Sequence, residues 1–353
     1  ASTLPRNKNY TISTHRESPL TSQLMTMLLF LIFLLNIALV ASSHLKPGFY
    51  LNTCPQAESI VRDVMKKALI REPRSLASIM RFQFHDCFVN GCDASMLLDD
   101  TPNMLGEKLA LSNINSLRSY EVIDEVKEAL EKVCPGVVSC ADIIIMTSRD
   151  AVALTGGPEW EVRLGRLDSL IASQEDSNDI MPSPRSNATY LINLFNKYNL
   201  SVKDLVALSG SHSLGQGRCF SIMFRLYNQS GTGMPDPTIN QNYRQKLNNI
   251  CPHDVDQNVT VDLDSTPLIF DNQYFKDLVA GRGFLNSDQT LYTSPETKEL
   301  VRLYSRDQDE FFNAFVEGML KMGDLISDQP GEVRRNCRVS NACPANNLMF
   351  GFE

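Results

Sequence analysis

The sequence predicts an all-α fold. Three observations predict it: apolar residues recur at helical spacing along most of the chain, alternating strand patterns are scarce, and breaker-rich turns separate the periodic segments. The first stripe is Ile60, Val61, Val64, Ala68 and Leu69. Val122, Ile123, Val126, Leu130 and Val133 make a second, stopped by Pro135-Gly136. Leu191, Ile192, Phe195 and Tyr198 follow, then Tyr274, Phe275 and Leu278, then Leu300, Val301 and Tyr304, and last Phe311, Phe312, Phe315, Met319 and Leu320. Each group puts a core-facing stripe on one side of a helix. Residues 160–164 are the best short alternation and predict a strand, while 155–158 and 230–237 are turn clusters. The expected architecture is two helical lobes in one unit.

At 353 residues the chain is long enough to bury a full core without depending on disulfides to fold. Hydrophobic residues make up 43% and charged residues 21%, a globular balance that excludes a disordered chain. Lys and Arg total 33 against 41 Asp and Glu, a net charge of −8 with no basic stripe, which argues against nucleic acid as a partner.

Residues 27–35 are unbroken apolar sequence, continued by 37–41 after Asn36, and small residues follow at Ala41, Ser42 and Ser43. A run of about 15 residues suits a signal-peptide core and is short for a membrane span of about 20. The leader is therefore expected to be 1–43, with Met25 and Met27 as alternative starts and no membrane association once the leader is cut. Its loss removes three basic residues and one acidic residue, leaving 30 against 40. All nine cysteines (54, 87, 92, 134, 140, 219, 251, 337 and 343) follow the leader and no CxxC pair occurs. In an exported chain this reads as a disulfide framework with one cysteine left over. Sequons at Asn187, Asn199, Asn228 and Asn258 fit a glycosylated secretory protein.

Of five histidines, His15 falls in the expected leader and His44 at the mature terminus; His85, His212 and His253 remain inside, and the polar surroundings of His253 read as surface. Arg81 and His85 are four apart in an unbroken apolar segment, hence on one helix face. A base beside a fixed cation suits heterolysis of a polar bond, although the pair alone reads better as a structural histidine near a surface arginine. Asp86, Asp93 and Ser95 follow on a short Gly-containing loop that also carries Cys87 and Cys92, hard oxygen donors of the kind Ca²⁺ takes. A solvated acidic turn would explain them as well. His212 ends an apolar segment, where a neutral imidazole can ligate a metal, haem iron included. Ser213 and Gly215 partly match a hydrolase elbow, but Ser211 stands where that motif has Gly, and no strand precedes it.

Residues 81–95, RFQFHDCFVNGCDAS, and 204–215, DLVALSGSHSLG, closely resemble the distal and proximal signatures of the plant secretory (class III) haem peroxidases. Further matches include Gly48-Phe49-Tyr50, Cys54-Pro55, Asn113 to Ser116, residues 138–142, Gly156-Gly157-Pro158, Phe270-Asp271-Asn272, Ser287-Asp288-Gln289 and residues 336–339. The resemblance covers essentially the whole expected mature chain. It implies a two-lobed all-α domain over 44–341, haem b between the lobes and a C-terminal tail at 342–353.

It also implies roles. His212 would ligate the iron and Asp288 would accept its other N–H. His85 would move the proton of H2O2, Arg81 would stabilise O–O cleavage, and Asn113 would hold His85. Phe84 would wall the distal side and Pro182 would touch small phenolic donors, oxidised in two one-electron steps. A distal Ca²⁺ would take Asp86, Val89, Gly91, Asp93 and Ser95, with Glu107 through water. A proximal Ca²⁺ would take Ser213, Asp264, Thr266, Ile269 and Asp271. The disulfides would be Cys54–Cys134, Cys87–Cys92, Cys140–Cys337 and Cys219–Cys251. The implied protein is a monomer secreted to the cell wall or apoplast, with the tail a competing vacuolar signal.

Four departures from the family pattern stand out. Ser213 replaces a common Thr, and only Ser265 separates Asp264 from Thr266-Pro267 where the family usually has two residues. Leu167 replaces an Arg, and Cys343 lies beyond the last matched cysteine. The shortened segment puts the position of Asp264, and with it the proximal Ca²⁺, in question. The rival reading is a catalytically silent, Ca²⁺-stabilised wall protein on the same fold. The presence of Arg81, His85, Asn113, His212 and Asp288 speaks against it.

Overall fold

The computed structural model describes residues 45–341. The expected leader, the tail and Cys343 lie outside the described residues.

Thirteen α-helices occur among the described residues. They are α1 (Ala57–Arg71), α2 (Ser75–Cys87), α3 (Tyr120–Val133), α4 (Cys140–Leu154), α5 (Gln174–Ile180), α6 (Ala188–Lys197), α7 (Val202–Ser209), α8 (Cys219–Tyr227), α9 (Gln241–Ile250), α10 (Gln273–Val279), α11 (Asn286–Thr293), α12 (Pro295–Arg306) and α13 (Gln308–Gly323). The stripes decide which faces turn inward. Val61, Val64 and Ala68 of α1 are buried, as are Val122, Ile123, Val126 and Leu130 of α3 and Phe311, Phe315 and Met319 of α13. Val133 ends α3 half-exposed and does not belong to its stripe. Several helix starts are capped by short polar side chains, which satisfy the first free N–H groups. Ser139 caps α4, Asn187 caps α6, Asp307 caps α13, and Ser201 with Asp204 forms a capping box on α7.

One half of the molecule packs α1 against α3 and α4, and α2 against α4. The other packs α13 and α12 against α7, and α10 and α11 against α12. A continuous apolar core runs through both, and a smaller cluster gathers α8 and α9 around Cys219 and Cys251. The strands are short antiparallel pairs: β1 (Asp168–Ser169) with β4 (Gly331–Glu332), and β2 (Gln216–Arg218) with β3 (Thr260–Asp262).

The strand expected at 160–164 is absent. Val162 and Leu164 do point inward, but the segment finds no partner strand beyond a single bridge from Leu164 to Lys46. Four disulfides join Cys54 to Cys134, Cys87 to Cys92, Cys140 to Cys337 and Cys219 to Cys251.

Candidate active site

Helix α2 carries Arg81 and His85 on one face, one turn apart. The Arg81 guanidinium is fixed by Ser116 Oγ at 2.7 Å and the Ser112 carbonyl at 3.0 Å. Its Nε donates to His85 Nε2 at 2.7 Å. The other ring nitrogen, Nδ1, lies 2.5 Å from Asn113 Oδ1. Asn113 Nδ2 donates to the Glu107 carbonyl at 2.8 Å, which fixes Oδ1 as the acceptor and Nδ1 as the protonated nitrogen. The Nε2 lone pair is thus the basic site. His85 is buried, and burial, then the Arg81 charge, hold its pKa well below 6.5 against the opposing pull of Asn113. The imidazole therefore stays neutral and able to accept a proton well into the acid range. Burial lowers the Arg81 pKa to about 10, which leaves it cationic. Phe84 sits edge-on to both His85 and Phe88, with centroids 5.5 and 4.6 Å away.

The chain after α2 is a tight loop cinched by the Cys87–Cys92 bridge. Asn90, Gly91 and Ala94 all have positive φ there. A side chain at Gly91 would meet the Ser327 backbone nitrogen at 2.5 Å, so glycine is required. Asp86 and Glu107 are fully buried, and among the described residues neither of their carboxylates has a hydrogen-bond partner; Ser95 Oγ has none there either. Asp93 lies alongside and accepts from the Ser95 N–H at 3.0 Å. Burial first, then the Asp93 charge, push the Asp86 pKa well up. Burial likewise raises Glu107 to about 8 and lifts Asp93. Unsatisfied buried carboxylates are costly unless a cation joins them, so this set fits a hard divalent ion. No group of three or more His, Cys, Asp or Glu has metal-holding geometry among the described residues. A set of two direct carboxylates, a hydroxyl and the Val89 and Gly91 carbonyls is not of that kind.

His212 lies on the 3-10 turn Gly210–Ser213 after α7, and this turn packs against α2. The histidine-bearing elements of the two halves are therefore neighbours. His212 Nδ1 is 2.7 Å from Asp288 Oδ1 at the start of α11. Asp288 also accepts from Tyr274 Oη at 3.1 Å and from the Leu285 N–H at 2.8 Å. His212 Nε2 makes no hydrogen bond among the described residues, and its side chain is 34% exposed. A neutral imidazole with Nδ1 held by a carboxylate and Nε2 free is a ready iron ligand, so the residues fit a haem. Ser213, by contrast, is buried against the Ile269 carbonyl and follows a helix, which removes the hydrolase reading.

Asp264 does not swing away despite the shortened segment. Ser265 is clamped by its N–H and Oγ to Asp277 Oδ2, at 3.0 and 2.8 Å. Asp264 then stands 3.3 Å from Ser213 Oγ, and Thr266 Oγ1 stands 3.1 Å from Asp271 Oδ1. The Ile269 carbonyl closes the oxygen cluster, 3.1 Å from Ser213 Oγ. Burial, then Asp271 and Asp277, raise the Asp264 pKa to about 7. Pro182 is half-buried in the loop between α5 and α6. Tyr274 and the fully buried Arg225 behind Asp288 escaped the sequence reading, because their partners are distant in the chain and no motif marks them.

A family model described as Peroxidase matches residues 61–307. The chain is 72% identical to Peroxidase 17 of Arabidopsis thaliana over 310 residues, covering 88% of this chain and 94% of that protein. Peroxidase C2 of Armoracia rusticana is 46% identical over 322 residues, with 89% and 92% covered. Peroxidase N of the same plant is 48% identical over 304 residues, with 85% and 92% covered. With the family model matched over most of the chain and relatives matched along nearly their whole length, the chain belongs to the peroxidase family and is a plant class III peroxidase.

Proposed function

We propose that this peroxidase oxidises small phenolic donors with H2O2, in two one-electron steps, on a haem b held by His212. One observation carries the reading: on contacting elements, His85 presents an unprotonated Nε2 that accepts from Arg81, while His212 presents a free Nε2 backed by Asp288. When bound, the haem supplies the redox centre at which the peroxide bond is cleaved and from which donors draw their oxidising equivalents.

The protein's own residues govern the protons and the charge. His85 Nε2 takes the proton of H2O2 and returns it to the departing oxygen. Asn113 keeps the ring in the tautomer that leaves Nε2 free. Arg81 stabilises the negative charge that develops as the O–O bond lengthens. Asp288 holds His212 in position and makes it a stronger donor. Phe84 and Pro182 border the donor's approach. The distal set Asp86, Val89, Gly91, Asp93 and Ser95, with Glu107 through water, suits one Ca²⁺, and Ser213, Asp264, Thr266, Ile269 and Asp271 suit a second. A leader over 1–43, a catalytic domain over 44–341 and a tail over 342–353 would deliver a monomer to the wall or, through the tail, the vacuole. The four sequon asparagines are exposed, as a glycoprotein requires.

The test is an absorption spectrum before and after H2O2. The wild type should show a Soret band that shifts on peroxide and recovers with guaiacol. His85→Leu should keep the band and lose the shift. An unchanged peroxide response in the variant would remove His85 as the base, and a folded wild type without a Soret band would remove the His212 assignment.

A further inference from the structure

We infer that Tyr274 is a positioning residue that sets how strongly His212 donates to iron, by competing with it for one oxygen of Asp288. The inference rests on His212 as the iron ligand. Asp288 Oδ1 receives both the His212 Nδ1–H, at 2.7 Å, and the Tyr274 hydroxyl, at 3.1 Å. Tyr274 and Asp288 are almost completely buried, so water cannot stand in for either donor. In such a site hydrogen bonds are strong and polarise one another. An oxygen shared between two donors offers less negative charge to each. Tyr274 thereby restrains the pull of Asp288 on the ring proton.

The other oxygen is held by a different device. Leu285 N–H donates to Asp288 Oδ2 at 2.8 Å, and the carbonyl of that same peptide group, Phe284 O, lies 2.9 Å from Arg225 Nη1. Arg225 is fully buried, reaches the neighbouring Gly283 and Leu285 carbonyls at 2.7 and 3.1 Å, and is paired with Asp236 at 2.8 Å. The guanidinium polarises a peptide whose N–H faces the carboxylate, so Oδ2 is anchored by backbone. The contact at Oδ1 is the adjustable one, since Tyr274→Phe deletes a single hydroxyl and keeps the ring, which stands edge-on to His212 with centroids 6.1 Å apart.

The experiment uses the haem-loaded protein. The Fe(III)/Fe(II) potential is measured by spectroelectrochemistry and the His212 Nδ1 proton by NMR of the cyanide-bound ferric form. Tyr274→Phe should shift the potential downward and the ring proton downfield, because Asp288 then pulls on that proton alone. Should the variant fold poorly, 3-fluorotyrosine at position 274, a stronger donor, should shift both the opposite way. A merely structural hydroxyl would lower only the melting temperature, and wild-type values of both readouts would overturn the inference. Asp288→Asn separates the two levels: an unchanged potential there would overturn the reading of His212 and Asp288 itself.

Discussion

Removing divalent metal should make stability fall as pH rises. Glu107 is fully buried with no hydrogen-bond partner for its carboxylate, beside Asp93 and near Asp86, and its pKa is pushed from 4.5 to about 8. A carboxyl whose folded pKa lies above its unfolded one contributes stability below the unfolded value and loses it as pH rises through the folded value. Metal-free protein should therefore weaken between pH 4.5 and about 8, and the raised Asp86 and Asp93 act in the same direction. At about 1.4 kcal/mol per tenfold change, Glu107 alone accounts for about 5 kcal/mol. A bare carboxylate draws in water and relaxes, which leaves about half of that. At about 2–4 °C per kcal/mol, the melting temperature should drop by about 5–10 °C between pH 5 and pH 8 in chelator. With Ca²⁺ the charged carboxylates are paired and the drop should vanish. Glu107→Gln should remove the Glu107 share of the chelated drop, because an amide does not titrate, and leave that of Asp86 and Asp93. Thermal scans across pH, with and without chelator, read all of this. Parallel profiles in Ca²⁺ and chelator would refute the claim that these buried carboxylates await a cation.

Asn113→Val takes the acceptor from His85 Nδ1 and frees the ring tautomer. Stopped-flow mixing with H2O2 should show a loss of about 10–100-fold, milder than losing the base itself, which costs about 10²–10⁴-fold; an unaltered rate would show that Asn113 does not position the base. Gly210→Ala, two residues before His212, would place a methyl group 2.4 Å from the Phe311 ring and 3.0 Å from the Phe275 ring, both fully buried. Overpacking of this kind costs about 1–3 kcal/mol, readable in a denaturant titration, and undiminished stability would mean that the rings yield freely.

Amphipathic helices announced themselves in the sequence where one face meets water, as in α1, α3 and α13. Helix α4 did not, because residues Cys140 through Val152 are all buried and no polar face remains to set a period. Helix α9 was silent for the opposite reason, with Leu247 alone buried. The alternation at 160–164 was real in its burial and misleading in its meaning, since a chain crossing a core edge alternates as a strand does. His85 and His212 stood out as candidates because each sits in a contiguous signature. What holds them in tune did not: Tyr274 and Arg225 act through residues on other elements, and only packing brings those together. The shortened loop at Asp264 looked like a defect in the sequence and is absorbed by the Ser265–Asp277 clamp, a contact twelve residues apart that no spacing rule would suggest.

The C-terminal strap has a consequence for the timing of synthesis. Fully buried Arg334 donates to the Ala94 carbonyl, Cys92 N–H reaches the Leu325 carbonyl, Asp99 N–H reaches Arg338, and Cys337 closes a bridge to Cys140. The loop that follows His85 is thus walled by residues made more than two hundred positions after it. Helices α1–α4 can form as they emerge, but their half of the molecule cannot close until residues 325–338 have been made. A nascent chain halted before residue 325 would carry every distal catalytic side chain and still hold the loop open to reshuffling of its cysteines.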